Sequence, residues 1–236
     1  MIEDERAKAR AVRDMFGSIA NRYDFLNHFL SLSVDRYWRR ACVGGTTRRM
    51  RRAEPSVLDI GCGTADLSLE LARLGPVVGC DFSHPMLKIG RGKIANGNPA
   101  YPIALLEADA LNLPFRDHSF DVVASAFVLR NLANMQKGLE EMKRVLRPGG
   151  VASILDFGLP KAALLRRPYL LYFNRVLPRL GRMFSGVDGP YKYLPDSVQL
   201  FPKPEELSAT LKRAGFREIS FRSLSGGIAV LFHARG

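Results

Sequence analysis

Cysteine is scarce in this sequence: three in 236 residues, at 42, 62 and 80, with no CxxC pair. An odd, unpaired set argues against a disulfide framework and against a cysteine-held zinc site, and a reducing compartment fits it. Long apolar runs are also lacking. None reaches the roughly 18 uninterrupted residues that a bilayer-crossing helix needs, although 47% of the chain is hydrophobic and mean hydropathy is −0.06. The four histidines (28, 84, 118 and 233) have no metal-ligand spacing, so no metal is expected. The start, MIEDERAKAR, mixes both charge signs and leads into no apolar stretch of the kind a secretory leader carries. The expected location is the cytoplasm.

Acids are outnumbered, 23 against 35 Lys and Arg, for a formal charge of +12. The excess gathers at Arg39 and Arg40, at Arg48, Arg49, Arg51 and Arg52, and at Arg166 and Arg167. Such faces serve nucleic acids, anionic lipid headgroups or simply solubility, and net charge alone does not rank the three. A chain of this length is near the limit for one core, so a single α/β domain over 1–236 with appended elements is expected.

Residues 5–21 carry Val12, Met15, Phe16, Ile19 and Ala20 at helical spacing, and Ser33 reads as the N-cap of a second helix through Trp38 and Cys42. This gives a helical arm over 1–45, with Gly44, Gly45 and the basic run as linker. From Ser56 strands and helices alternate: strands at 57–61, 77–81, about 103–108, 120–127 and 151–157, a helix cap at Ser83, and RPGG (147–150) stopping the helix before the fifth strand. An apolar, proline-punctuated stretch at 160–204 reads as an inserted helical cap. A helix over 204–215 and closing strands at 216–223 and 227–233 complete seven strands.

VLDIGCGTADL ends a strand and opens a helix with glycines at 61 and 63, where backbone can approach a ligand closely. A dinucleotide site would carry a third glycine at 66, where Asp66 stands, so a pyrophosphate is disfavoured. S-adenosylmethionine has no phosphate but offers an ammonium, a sulfonium and a ribose diol, which suit carboxylates. Asp59 ends the first strand and is placed to hold the ammonium through loop contacts or water. Asp81 ends the second, 20 residues past Gly61, to accept from the ribose hydroxyls. Asp109 follows the third, in reach of an adenine amino group, with Leu111 or Leu113 to sandwich the ring. Each acid taken alone is equally an ordinary loop cap; three in register point to one crevice.

The run VLDIGCGT, GCDFS, DALNLPF with SFDVV, and RVLRPGG resembles the class I methyltransferases across 56–157. YDFLNHFLSLSVDRYW (23–38), FVLRN (127–131), RVLRPGGVASILDF (144–157), YKYLPDSVQLFP (191–202) and SGGIAVLFHA (225–234) are similar to signatures of the ubiquinone and menaquinone biosynthesis C-methyltransferase family. The likeness spans about 15–234. It implies a Rossmann-like class I fold, a seven-stranded mostly parallel sheet with an antiparallel last strand, S-adenosylmethionine as cofactor, and methylation of demethylmenaquinol, or of the benzoquinol intermediate, at a ring carbon. Carried over by position, the family's cofactor contacts fall on Thr64, Asp81, Asp109 and Ala110. The sequence departs from the pattern at Asp35, where the family has His, at Asp156 for Glu, at Gly158 for Ser, and at Ala126, where a serine contact is expected.

Methyl transfer from a sulfonium is an in-line displacement, so alignment and exclusion of water supply much of the rate, up to ~7–11 kcal/mol. A ring carbon becomes nucleophilic when its neighbouring hydroxyl ionises. Arg130 is the first candidate, stabilising phenolate or orienting water; the alternative is that it binds a carboxylate of the fold while Asn131 caps the next turn. Tyr23, Asp24 and Asn27 are candidates to reach the acceptor from the arm. Tyr169, Leu170, Leu171, Tyr172 and Phe173 suit an isoprenoid tail or an ordinary core, and Arg166, Arg167, Arg175, Arg179 and Arg182 beside them suit the inner face of an anionic membrane. A homodimer is compatible with the sequence. The rivals are a methyltransferase acting on RNA or another small aromatic, and a non-catalytic cofactor-binding module. No NPPY-like tetrad follows the fourth strand, no Pro-Cys nucleophile is present and no RNA-binding module is appended, so no nucleic-acid partner is expected.

Overall fold

A computed structural model describes residues 2–160, 162–177, 179 and 189–236. Seven strands form one sheet in the order β3-β2-β1-β4-β5-β7-β6. They are β1 Val57–Ile60, β2 Val77–Asp81, β3 Ile103–Glu107, β4 Phe120–Ala126, β5 Leu146–Phe157, β6 Arg217–Leu224 and β7 Ala229–Arg235. The first five pair in parallel, and β7 runs antiparallel to both neighbours. Strand order reverses between β1 and β4, the position where an open α/β sheet leaves a crevice at the carboxyl ends of its strands. The central strands β1 and β4 read as near-continuous apolar runs because both faces are covered, as parallel sheets require.

The arm is longer than the 5–21 periodicity alone marks: α1 spans Ile2–Leu30 and α2 spans Val34–Thr47. Ser33 precedes α2 but makes no side-chain cap. Leu32 and Ser33 both adopt left-handed backbone, which turns the chain sharply, and it is the Ser31 hydroxyl that donates to Asp35 Oδ1 at 2.8 Å in the first turn. Gly44 and Gly45 are helical, so the linker begins at Arg48. The reason is tertiary: a Cβ on Gly45 would lie 2.4 Å from the His233 ring, and the close approach of α2 to β7 outweighs the poor helix propensity of glycine.

The remaining helices are α3 Asp66–Leu71, α4 His84–Gly97, α5 Met135–Val145, α6 Ala163–Leu171 continuing into a π-helical turn Tyr172–Val176, α7 Gly189–Gln199 and α8 Pro204–Arg213. Asn134 caps α5 by accepting from the Lys137 N–H at 3.0 Å. RPGG lies within β5, so α5 passes directly into strand. Ser83 sits at the N-cap of α4 in extended backbone, but its hydroxyl makes no capping bond. The Gly215 N–H, at φ +90°, closes the end of α8 on the Lys212 carbonyl.

The main core lies between the sheet and α5 and α8, with Leu58, Val123, Leu139, Met142, Ile154, Leu207 and Phe232 buried. Among the described residues no helix is long and apolar enough to cross a membrane. Arg182 lies outside the described residues.

Candidate active site

The loop after β1 turns at Gly61, φ +67°, where a Cβ would sit 2.3 Å from Val128; Gly63 follows at φ +53°. At Gly61 both the conformation and the clearance exclude a side chain, whereas at Gly63 a Cβ would meet nothing within 4 Å and only the left-handed φ favours glycine. Gly63 N–H donates to Asp81 Oδ2 at 2.9 Å and Ser83 N–H to Oδ1 at 2.8 Å, so the backbone presents the β2 carboxylate at the crevice. Burial raises the Asp81 pKa, and those two N–H groups oppose the rise.

Gly61, Asp81, Asp109, Ala110 and Asn131 border one cavity, with Leu111 and Phe82 as its apolar walls. Asp109 Oδ1 accepts from the Leu111 N–H at 2.9 Å, which fixes the turn after β3. Leu113 belongs to the core and not to this cavity. A second cavity continues along Gly61, Gly63, Asp81, Met86, Ala126 and Phe127.

Asp59 lies below these surfaces, 1% exposed. Its Oδ2 accepts from Ser68 at 2.6 Å, while Oδ1 is buried with no hydrogen-bond partner. Burial pushes its pKa up to about 7. An orphaned carboxylate oxygen two residues before the glycine turn fits a cationic group such as the cofactor's ammonium.

Thr64 is buried and turned to the arm, where its hydroxyl donates to Asp24 Oδ1 at 2.5 Å. Lys93 Nζ contacts Asp24 Oδ2 at 2.9 Å and also Asp66. Asp24 therefore ties α1 to α3 and α4, and it borders none of the cavities at the crevice. Further along the arm, Lys8 Nζ donates to the Leu132 carbonyl at 2.9 Å and Arg13 lies 5.6 Å above the Phe82 ring, so α1 roofs the crevice.

A third cavity opens beside Asn131 and Phe127, bordered by Phe16, Tyr23, Asn27, Phe157 and the Arg130 guanidinium. It shares Phe16, Tyr23, Phe127 and Asn131 with the cofactor-side cavity. Phe127 holds a left-handed φ of +64° at this junction, backbone strain worth on the order of 1–3 kcal/mol. Arg130 Nη1 donates to Asp156 Oδ1 at 2.7 Å, and the guanidinium lies 5.0 Å from the Phe157 centroid. Arg130 thus both binds a carboxylate of the fold and faces the cavity. Asn131 Nδ2 donates to the Phe127 carbonyl at 3.1 Å, leaving Oδ1 buried without a partner.

Burial raises the Tyr23 hydroxyl above its ordinary value, and the Arg130 charge works the other way; the same opposition acts on Tyr169 and Tyr193. At all three phenols burial outweighs the Arg130 charge, so each hydroxyl stays above its ordinary value while the guanidinium offsets part of that rise.

Sequence reasoning missed the support under this cavity. Asp35, where the family pattern has His, pairs with Arg39 at 2.5 Å and with His28 at 2.9 Å; burial opposes its charged form, but the adjacent Arg39 holds the carboxyl below its usual range. The i,i+4 spacing of Asp35 and Arg39 was the available signal. The three carboxyl or imidazole groups at His28, Asp35 and Asp66 lie close enough to hold a cation, but Arg39 already stands among them. Burial pushes Cys42 and Cys80 up to about 12 and Cys62 well above its ordinary value, so none offers a thiolate nucleophile.

A glycine turn, carboxylates at strand ends and this strand order define a class I S-adenosylmethionine-dependent methyltransferase. The chain belongs to the ubiE/COQ5 methyltransferase family, which matches residues 3–235. It is 46% identical over 230 residues to the ubiquinone/menaquinone biosynthesis C-methyltransferase UbiE of Geobacter sulfurreducens, covering 95% of this chain and 88% of that protein. It is 45% identical over 231 residues to the demethylmenaquinone methyltransferase of Deinococcus radiodurans, covering 97% and 93%. A solved SAM-dependent methyltransferase of Thermotoga maritima shares the fold, with a TM-score of 0.66 at 19% identity over 95% of this chain and 99% of that one.

Proposed function

We infer that this enzyme methylates a ring carbon of a prenylated quinol, with demethylmenaquinol as acceptor and menaquinol as product. The observation that carries the reading is the junction at Phe127 and Asn131, where a carboxylate-rich cofactor crevice meets an aromatic-walled cavity bordered by two guanidiniums, Arg130 held by Asp156 and Arg39 held by Asp35.

When bound, S-adenosylmethionine supplies an electrophilic methyl group. Asp81 and Asp109 would hold its ribose and adenine, and Asp59 its ammonium, with Gly61 and Gly63 admitting it to the backbone. Tyr23 and Asn27 orient the acceptor ring from α1. Arg130, fixed by Asp156, favours the ionised hydroxyl and so raises electron density on the neighbouring carbon. Phe16, Phe127 and Phe157 exclude water from the reacting atoms.

The membrane reading rests on the cap. Between Phe157 and Val187 the sequence has six basic residues and no acid, and α6 exposes Leu164 and Leu165 beside Arg166 and Arg167. That combination fits an anionic lipid surface, where a polyprenyl quinol resides.

The test is incubation of purified protein with methyl-labelled cofactor and either demethylmenaquinol or the demethylated benzoquinol. Label in menaquinol supports the assignment; label confined to the benzoquinol product redirects it, and label in neither removes it.

A further inference from the structure

The acceptor cavity is about 70 Å³, with no room for a polyprenyl chain beside a ring. A larger cavity of about 170 Å³ lies on the other side of one of its walls. Phe157 borders both. We propose that this second chamber receives the isoprenoid tail of the acceptor, with Phe157 as the partition between ring and tail; the proposal rests on the quinol reading above.

The chamber is formed by the segment after β5, the first half of β7 and the connection between α7 and α8. Leu159, Val198, Phe201, Val230 and Phe232 give it an apolar lining, while Arg166, Lys203 and Glu205 are the charged residues on it, two cations to one acid. Its floor is closely packed: a Cβ on Gly158 would lie 2.7 Å from the Gly227 carbonyl oxygen and 2.8 Å from Val230, so no side chain fits beside Phe157 there. Phe157 itself packs between Phe127, 4.7 Å away on the acceptor side, and Phe173, 6.3 Å away on the cap side.

The aromatic run of the cap does not form this chamber. Tyr169 stacks on Phe173 at 4.9 Å, and Phe173, Leu177 and Val198 make a small core with Tyr172 and Leu194 at its edge. At the other end, residues adjoining the lining are the exposed leucines of the cap: Leu165 precedes Arg166, and Leu200, 85% exposed, precedes Phe201. A tail leaving the ring would run past Phe157, through the apolar chamber, and out beside leucines and cations that suit the lipid in which its remainder lies.

Trp38, the single tryptophan, reports on this partition, because its ring lies 6.0 Å from Phe157. Geranylgeraniol, a tail with no quinol ring, should shift Trp38 fluorescence saturably in the full-length protein. Leu159→Arg and Phe201→Arg, both at half-buried positions, should abolish that shift while leaving cofactor affinity unchanged, which also checks folding. With quinol acceptors, either variant should raise KM for a long-tailed substrate roughly tenfold or more and leave an acceptor with one isoprene unit within about twofold. The prenyl alcohol titration reads the chamber even if no quinol is methylated, so failure of the function and failure of the chamber are separable. No fluorescence response to geranylgeraniol in the unmodified protein overturns the proposal, as does an equal change for short and long tails.

Discussion

Arg130 and Asp156 form a buried ion pair at 2.7 Å, directly beneath the ring cavity, with their side chains 5% and 1% exposed. Asp156 also accepts from the Phe157 N–H at 2.8 Å, so one carboxylate fixes both the guanidinium and the aromatic partition. Arg130→Lys keeps a positive charge but loses the planar fork, and turnover should fall on the order of 10²-fold with cofactor Kd unchanged. Asp156→Asn strands a buried guanidinium and should also lower unfolding free energy, by roughly 3–5 kcal/mol. Steady-state kinetics, cofactor titration and urea denaturation separate the two effects.

Asp81→Ala should weaken cofactor binding about 10- to 100-fold, the equivalent of one charge-assisted hydrogen bond or a little more. The same change frees the Gly63 and Ser83 N–H groups, so Asp81→Asn should fall between the two. Calorimetric titration of the cofactor decides; an unchanged Kd would remove Asp81 from the site.

Much of this crevice is legible in the sequence because strand ends and glycine turns are local. Gly61, Asp81 and Asp109 sit where strand period and spacing put them. The arm is less legible. Helix through Gly44 and Gly45 depends on His233, nearly 190 residues later. Asp24 carries no local sign that its partners are Thr64 and Lys93, 40 and 69 positions away. Arg130 and Asp156 were each noticeable alone, but only the parallel pairing of β4 with β5 brings them together.

The Asp24 contacts give a prediction for the arm. Partly exposed ion pairs are each worth only about 0.2–1 kcal/mol, so Lys93→Met should barely move the global urea midpoint. It should nevertheless let α1 open more often, because Lys93 joins two carboxylates on different helices. Faster amide exchange in α1 and several-fold faster cofactor dissociation are expected; unchanged exchange would show that packing alone holds the arm.

Asp59 gives a pH dependence. Its native pKa is raised by burial to about 7, against an ordinary 3.8, so the folded state retains a proton that the unfolded chain has lost. Its stabilising contribution is complete below about pH 4 and is lost as pH rises to about 7, at a rate of about 1.4 kcal/mol for each pH unit between those limits. Relative to Asp59→Asn, the cofactor-free wild type should lose stability between pH 5 and pH 8. Parallel urea midpoints for the two proteins across that range would contradict the assignment.

The central claim is carbon methylation of a quinol ring, and it is tested most directly by the position of the transferred methyl group. Carbon-13 NMR of the quinol formed from demethylmenaquinol and ¹³C-methyl-labelled S-adenosylmethionine should show one enriched methyl on a ring carbon, with both hydroxyls free. An enriched methoxy signal, or label left entirely in the cofactor, would contradict it.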